Sequence, residues 1–193
     1  MLERCTAFVI AGNKTQRRSL ETIARRLGLE TVLPLAPRSA LPAIGDLRPI
    51  SFFLIHHQLD QRLMRLIVDA IRACPIDRVR YAPILLFVDD CLFDEYLNFL
   101  HMGFDDALAL PDKREMLMQR LKGQLLTPQL YIRTASYFGP DRRRFDLSAE
   151  VDQRRGVGEH WHERITFFRD PGYGVTVIRT QHVLERDGRR HEA

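Results

Sequence analysis

The chain has 193 residues, 45% hydrophobic and 28% charged, enough for one α/β domain with its own core plus a sizeable extension, and too apolar for a disordered chain. Lys and Arg number 29 against 25 Asp and Glu, a net charge of +4 that steers acidic partners but does not by itself hold nucleic acid. The cysteines Cys5, Cys74 and Cys91 are far apart with no C-x-x-C pair, and the apolar run at the start is only about five residues long, which argues against a disulfide framework, a zinc knuckle, a signal peptide or a membrane span and fits a soluble cytoplasmic protein.

Ala7–Ala11 (AFVIA) is a short continuous apolar run, the pattern of a strand buried on both faces of a parallel sheet. Gly12-Asn13 turns the chain, Thr15 is a candidate N-cap, and Leu20, Ile23, Ala24 and Leu27 follow at helical spacing up to Gly28. Thr31–Leu35 reads as a second strand and Ile50–His56 (ISFFLIH) as a third. Between them Arg38–Arg48 holds two prolines and a glycine, so a turn is expected where a helix would complete the alternation. Met64, Ile67 and Ile71 mark the next helix, ended by Pro75; Pro83–Val88 (PILLFV) is a fourth strand. Tyr96, Leu97 and Leu100 mark a helix stopped at Gly103, Ala107–Leu110 is a fifth strand, and Leu117, Leu121 and Leu125 lie on a last helix before Thr127-Pro128. Strands alternating with helices over about 125 residues predict a doubly wound, three-layer α/β sandwich with strand order 2-1-3-4-5.

Past residue 130 the composition shifts. Residues 127–160 read as an Arg-rich linker, with Tyr131–Arg144 (YIRTASYFGPDRRR) and Arg154–Gly158 carrying Arg and Gly. Within 161–193, Arg164–Arg169 and Gly174–Val183 alternate as strands around Pro171-Gly172, predicting a β-hairpin that packs on the first domain or pairs with another chain.

The strand–helix layout with PILLFVDD and GFDDALALP resembles the receiver domain of bacterial two-component response regulators, over residues 5–126. The resemblance implies a flavodoxin-like fold and, in the family, a Mg²⁺-binding acidic pair after the first strand. It also implies an acceptor aspartate after the third strand, Thr or Ser after the fourth, and Lys before Pro after the fifth. At those positions stand Ala11 and Gly12, His56, Val88, and Leu110 before Pro111. Phosphoryl transfer depends on positioning and on neutralising developing charge. The resemblance therefore implies a pseudo-receiver without phosphotransfer activity, metal or cofactor. It further implies a protein-interaction module, with a histidine kinase or another regulator as the expected partner and a homodimer expected through the face that would hold Tyr96, Leu100 and Lys113–Lys122.

Other groups stay open. Arg142, Arg143 and Arg144, in a GPDRRR run of the kind that follows stand-alone alphaproteobacterial receivers, form either a solvated cluster or a clamp for phosphate or carboxylate. With Asp146-Leu147-Ser148 they resemble the Arg run and D-x-S element of cyclic-di-GMP-binding PilZ domains, at altered spacing and without the following glycine. Anion or nucleotide sensing is therefore the alternative function. Asp89-Asp90 and Asp105-Asp106 are either loop and cap residues or a shifted acidic pocket. His160 and His162 are on one strand face, as a metal pair would be, with no third ligand identified. Trp161, Phe167, Phe168 and Tyr173 are expected to dock the hairpin. No helix-turn-helix or RNA-binding aromatic motif is present, so neither nucleic acid nor membrane is an expected partner.

Overall fold

The computed structural model describes residues 1–36, 48–89, 93–141 and 160–185. The proline-bearing stretch between the second and third strands, Asp90, the run Arg142–Arg144 and the segment Arg154–Gly158 lie outside the described residues.

Five strands, β1 (Thr6–Ile10), β2 (Thr31–Pro34), β3 (Ser51–His56), β4 (Ile84–Asp89) and β5 (Asp106–Leu110), form a parallel sheet in the order β2-β1-β3-β4-β5. This is the flavodoxin-like, receiver-type order expected from the sequence. The two-residue period of the strands divides the core into two layers. Phe8, Ile10, Phe53, Ile55, Leu86 and Val88 face Met64, Ile67, Val68 and Ile71 of α2 (Gln61–Ala73) and Phe99 of α4 (Phe93–His101). Ala7, Val9, Phe52, Leu54, Leu85 and Phe87 face Leu20, Ala24 and Leu27 of α1 (Lys14–Arg26) with Leu117 and Leu121 of α5 (Arg114–Gly123). Each large apolar side chain so buried contributes ~1.5–3 kcal/mol relative to exposure. No helix among the described residues is long and apolar enough to cross a membrane.

Local capping differs in detail from the expectation. Asn13, not Thr15, is the N-cap of α1, its side chain accepting from Gln16 N at 2.9 Å; Asn is the better cap and starts the helix early enough to place Thr15 inside its first turn. Asp60 caps α2 by accepting from Leu63 N at 3.0 Å. A four-residue helix, α3 (Asp77–Arg80), which the sequence did not announce, closes the connection to β4.

The second unit is a four-stranded antiparallel sheet in the order β7-β6-β8-β9, made of β6 (Gln129–Arg133), β7 (Phe138–Pro140), β8 (His160–Asp170) and β9 (Gly174–Glu185). The expected hairpin is β8–β9. Its turn is held by Asp170 Oδ1, which accepts from Gly172 N at 2.7 Å, and by Gly174 at φ +95, which suits glycine. The described residues of the expected Arg-rich linker, 127–141, instead supply β6 and β7. A hairpin alone is marginal, and two further strands give it the buried face that stable sheets need. Pro140 is tolerated because β7 is an edge strand.

Candidate functional site

The carboxyl end of the parallel sheet, where open α/β folds place their chemistry, is lined by the residues after β1, β3 and β5 and by the end of β4. Ala11 and Gly12 follow β1, His56 ends β3, Val88 is buried near the end of β4 and Leu110 ends β5 before a cis Pro111. The structure thus brings the five positions picked out by the sequence to one end of the sheet. His56 is 8% exposed, and its Nδ1 accepts from Gln58 N at 3.2 Å, as in a structural histidine. Burial, then the neighbouring His57, lowers its pKa below the usual histidine value, against the pull of Asp89. His57 stacks on His56 at 5.0 Å and its Nε2 is 2.9 Å from Asp89 Oδ2. Gln16 Nε2 donates to Gln58 Oε1 at 2.6 Å, tying the start of α1 to the loop after β3.

This end can bind through hydrogen bonds. Asp89, at the end of β4, already has His57 as partner. A hard divalent cation takes six or more oxygen ligands, and among the described residues no three His, Cys, Asp or Glu side chains come together as metal ligands. His162 is 7% exposed, so of the expected H-x-H pair the described ring is held inside the second sheet. Asp105 and Asp106 form no acidic pocket. Asp106 accepts from Arg120 Nε at 2.8 Å, and Asp105 is the hub of a buried cluster at the opposite, amino end of the sheet.

That cluster joins the two sheets. Asp105 Oδ2 accepts from Arg72 Nη2 at 2.7 Å and Ile84 N at 2.8 Å; Oδ1 accepts from Arg169 Nη2 and from the Tyr131 hydroxyl, both at 2.7 Å. Arg169 is 0% exposed and also donates to Tyr81 O at 2.7 Å and Gln124 Oε1 at 2.8 Å. Burial alone would raise the Asp105 pKa, but Arg169 and Arg72 outweigh it and hold the carboxyl at about 2. Burial pushes the Tyr131 hydroxyl up, so it stays a donor. Around the cluster Tyr81, Tyr131, Ile165 and Phe167 form a small aromatic core, with Tyr81 and Phe167 rings 4.6 Å apart.

The sequence contained a signal for this cluster. Met64, Ile67, Val68, Ile71 and Arg72 fall on one helical stripe, and Ile165, Phe167 and Arg169 on one strand face. Two arginines at core positions require a buried carboxylate. Of the aromatics expected to dock the hairpin, Phe167 does so, whereas Trp161 and Tyr173 are 64% and 91% exposed. Leu100, expected on a partner face, is 1% exposed and belongs to the core; Tyr96 is half-buried, its hydroxyl 3.4 Å from Asp106 Oδ1.

No protein-family model matches the sequence, and no curated protein matches it. Among solved structures, the chain is similar to the receiver domain of a sensor histidine kinase from Pseudomonas aeruginosa PAO1, solved with a magnesium ion in its active-site cleft. The identity is 21%, over 61% of this chain and 95% of that one, with a TM-score of 0.45. It is also similar to the signal receiver domain of a histidine kinase from Syntrophus aciditrophicus, at 18% identity over 68% of this chain and 96% of that one, with a TM-score of 0.44.

Proposed function

We propose that this chain is an atypical response regulator, a cytoplasmic interaction module in two-component signalling that works without phosphorylation, metal or enzymatic turnover. The observation that carries the reading is the chemistry of the carboxyl end. The third strand ends in a buried, hydrogen-bonded imidazole, His56, where an acceptor carboxylate would stand. Ala11 and Gly12, Val88 and Leu110 supply no charge or hydroxyl around it. Losing one such charge-stabilising group commonly costs ~10²–10³ in rate, so losing all of them leaves no productive phosphoryl transfer. The partner is a histidine kinase or another regulator.

The test is incubation of the full chain with acetyl phosphate and Mg²⁺, followed by intact mass. The reading expects no phosphoryl adduct. An adduct that disappears in His56→Asn identifies a phosphohistidine, and one that survives identifies another acceptor; either makes the protein a phosphoryl switch and overturns the reading.

A further inference from the structure

The buried cluster is unbalanced. Among the described residues, Arg72 and Arg169 share one ionised carboxylate, Asp105, which leaves one excess positive charge inside the protein. Arg72 is 4% exposed, and its Nε is buried without a hydrogen-bond partner although the two terminal nitrogens are well bonded. A buried guanidinium with a free donor asks for a further acceptor. Arg72 also lines an open groove of about 560 Å³ between α2 and the β6–β7 turn, together with Arg65, Arg80 and Arg133, against one lining carboxylate, Asp69. Tyr137 and Phe138 contribute aromatic surface to the same wall.

We propose that this groove is an anion site for a small phosphate-bearing molecule, with the phosphate over Arg72, Arg65 and Arg133 and an apolar or aromatic moiety against Tyr137. The Arg65 and Arg133 guanidiniums can bond phosphate oxygens, while Arg72, its terminal nitrogens already bonded, contributes the excess charge of the low-dielectric floor, which strengthens the attraction for a dianion. The volume is in the range of small-molecule sites. Arg80 and Arg133 are already oriented, Arg80 Nε donating to Cys74 O at 3.0 Å and Arg133 Nη1 to Glu163 Oε2 at 2.9 Å. Arg65 is exposed on the rim and donates to Met102 O at 3.1 Å. The site is at the end of the sheet opposite His56 and does not depend on the reading of that end.

The experiment is a backbone-amide NMR titration of the full chain with inorganic pyrophosphate and, separately, adenosine 5′-monophosphate, at low ionic strength. Saturable shifts confined to residues 65–73 and 133–138 are expected, weakening with added salt. Affinity should fall about 10-fold or more in Arg65→Gln and in Arg65→Gln/Arg133→Gln, and should be unchanged in Arg114→Gln on another face. Arg65 is exposed, so the single variant keeps the fold and decides the matter if the double variant does not. Pyrophosphate alone binding as tightly as the nucleotide assigns recognition to the phosphate; tighter nucleotide binding adds the aromatic wall. No saturable groove shift with either probe, equal affinity in Arg65→Gln, or a response to a poly-glutamate peptide alone overturns the assignment.

Discussion

The two ends of the parallel sheet carry opposite solutions to the problem of charge. At the carboxyl end the exposed Asp89 pairs with His57 at 2.9 Å, and His56, although buried, is held towards its neutral form. At the amino end the Asp105 carboxylate, the Arg169 guanidinium and the Tyr131 phenol are sealed between two sheets, with the Asp105 and Arg169 side chains 2% and 0% exposed, and Arg72 of α2 closes the cluster on the groove side. A charged group near water can be removed at small cost, whereas a buried one fixes its neighbours. The amino end is therefore where this fold is fastened to its extension, and the carboxyl end is where it is free to change chemistry.

The largest effect is expected at Asp105. Asp105→Ala leaves Arg72 and Arg169 buried without a counter-charge, and a loss of about 3–5 kcal/mol in urea unfolding is expected. Arg169→Met removes one of two cations and leaves a balanced Arg72–Asp105 pair, so a smaller loss of about 1–3 kcal/mol is expected by the same measurement. Equal losses in the two variants would mean that the excess positive charge is not felt.

Acid sharpens the contrast. The folded-state pKa of Asp105, about 2, is below the usual carboxylate value of about 3.9. Its contribution is therefore present above pH ~4 and is lost as pH falls through about 2. Stability measured against pH should drop across that window, and Asp105→Asn should be flatter there from a lower starting point. The smallest effect belongs to His56. Its pKa is lowered on folding, so protonation favours the unfolded chain, and stability declines as pH falls below the usual histidine value of about 6.5. His56→Asn should remove part of that decline in thermal melts between pH 7 and ~5, while leaving the Asp105 window untouched.

The parallel sheet was legible because β1, β3 and β4 are continuous apolar runs, which only strands covered on both faces tolerate. The long hairpin was legible from alternation around Pro171-Gly172. Strands β6 and β7 were not: five and three residues long, with half-buried patterns, they have too little periodicity to stand out from an Arg-rich linker. Asp105 was hidden for a different reason. It sits in GFDD beside Asp106, where a carboxylate reads as a loop or cap residue, and its partners are 33 and 64 positions away in sequence. Only the periodicity of Arg72 and Arg169 on buried faces pointed inward, and pairing them needs the tertiary fold. The carboxyl end was readable position by position because strand ends in this topology have fixed places, although the His57–Asp89 contact depends on β4 running one residue further than its apolar run suggests.

The proposed absence of a phosphoryl switch at the carboxyl end is tested by titrating beryllofluoride with Mg²⁺ into the full chain while the amides of Gly12, His56, His57, Val88 and Leu110 are followed by NMR. No saturable shift at any of the five and no change in melting temperature are expected. Saturable, Mg²⁺-dependent shifts with a stabilised fold would show a working acidic pocket at that end and contradict the proposal.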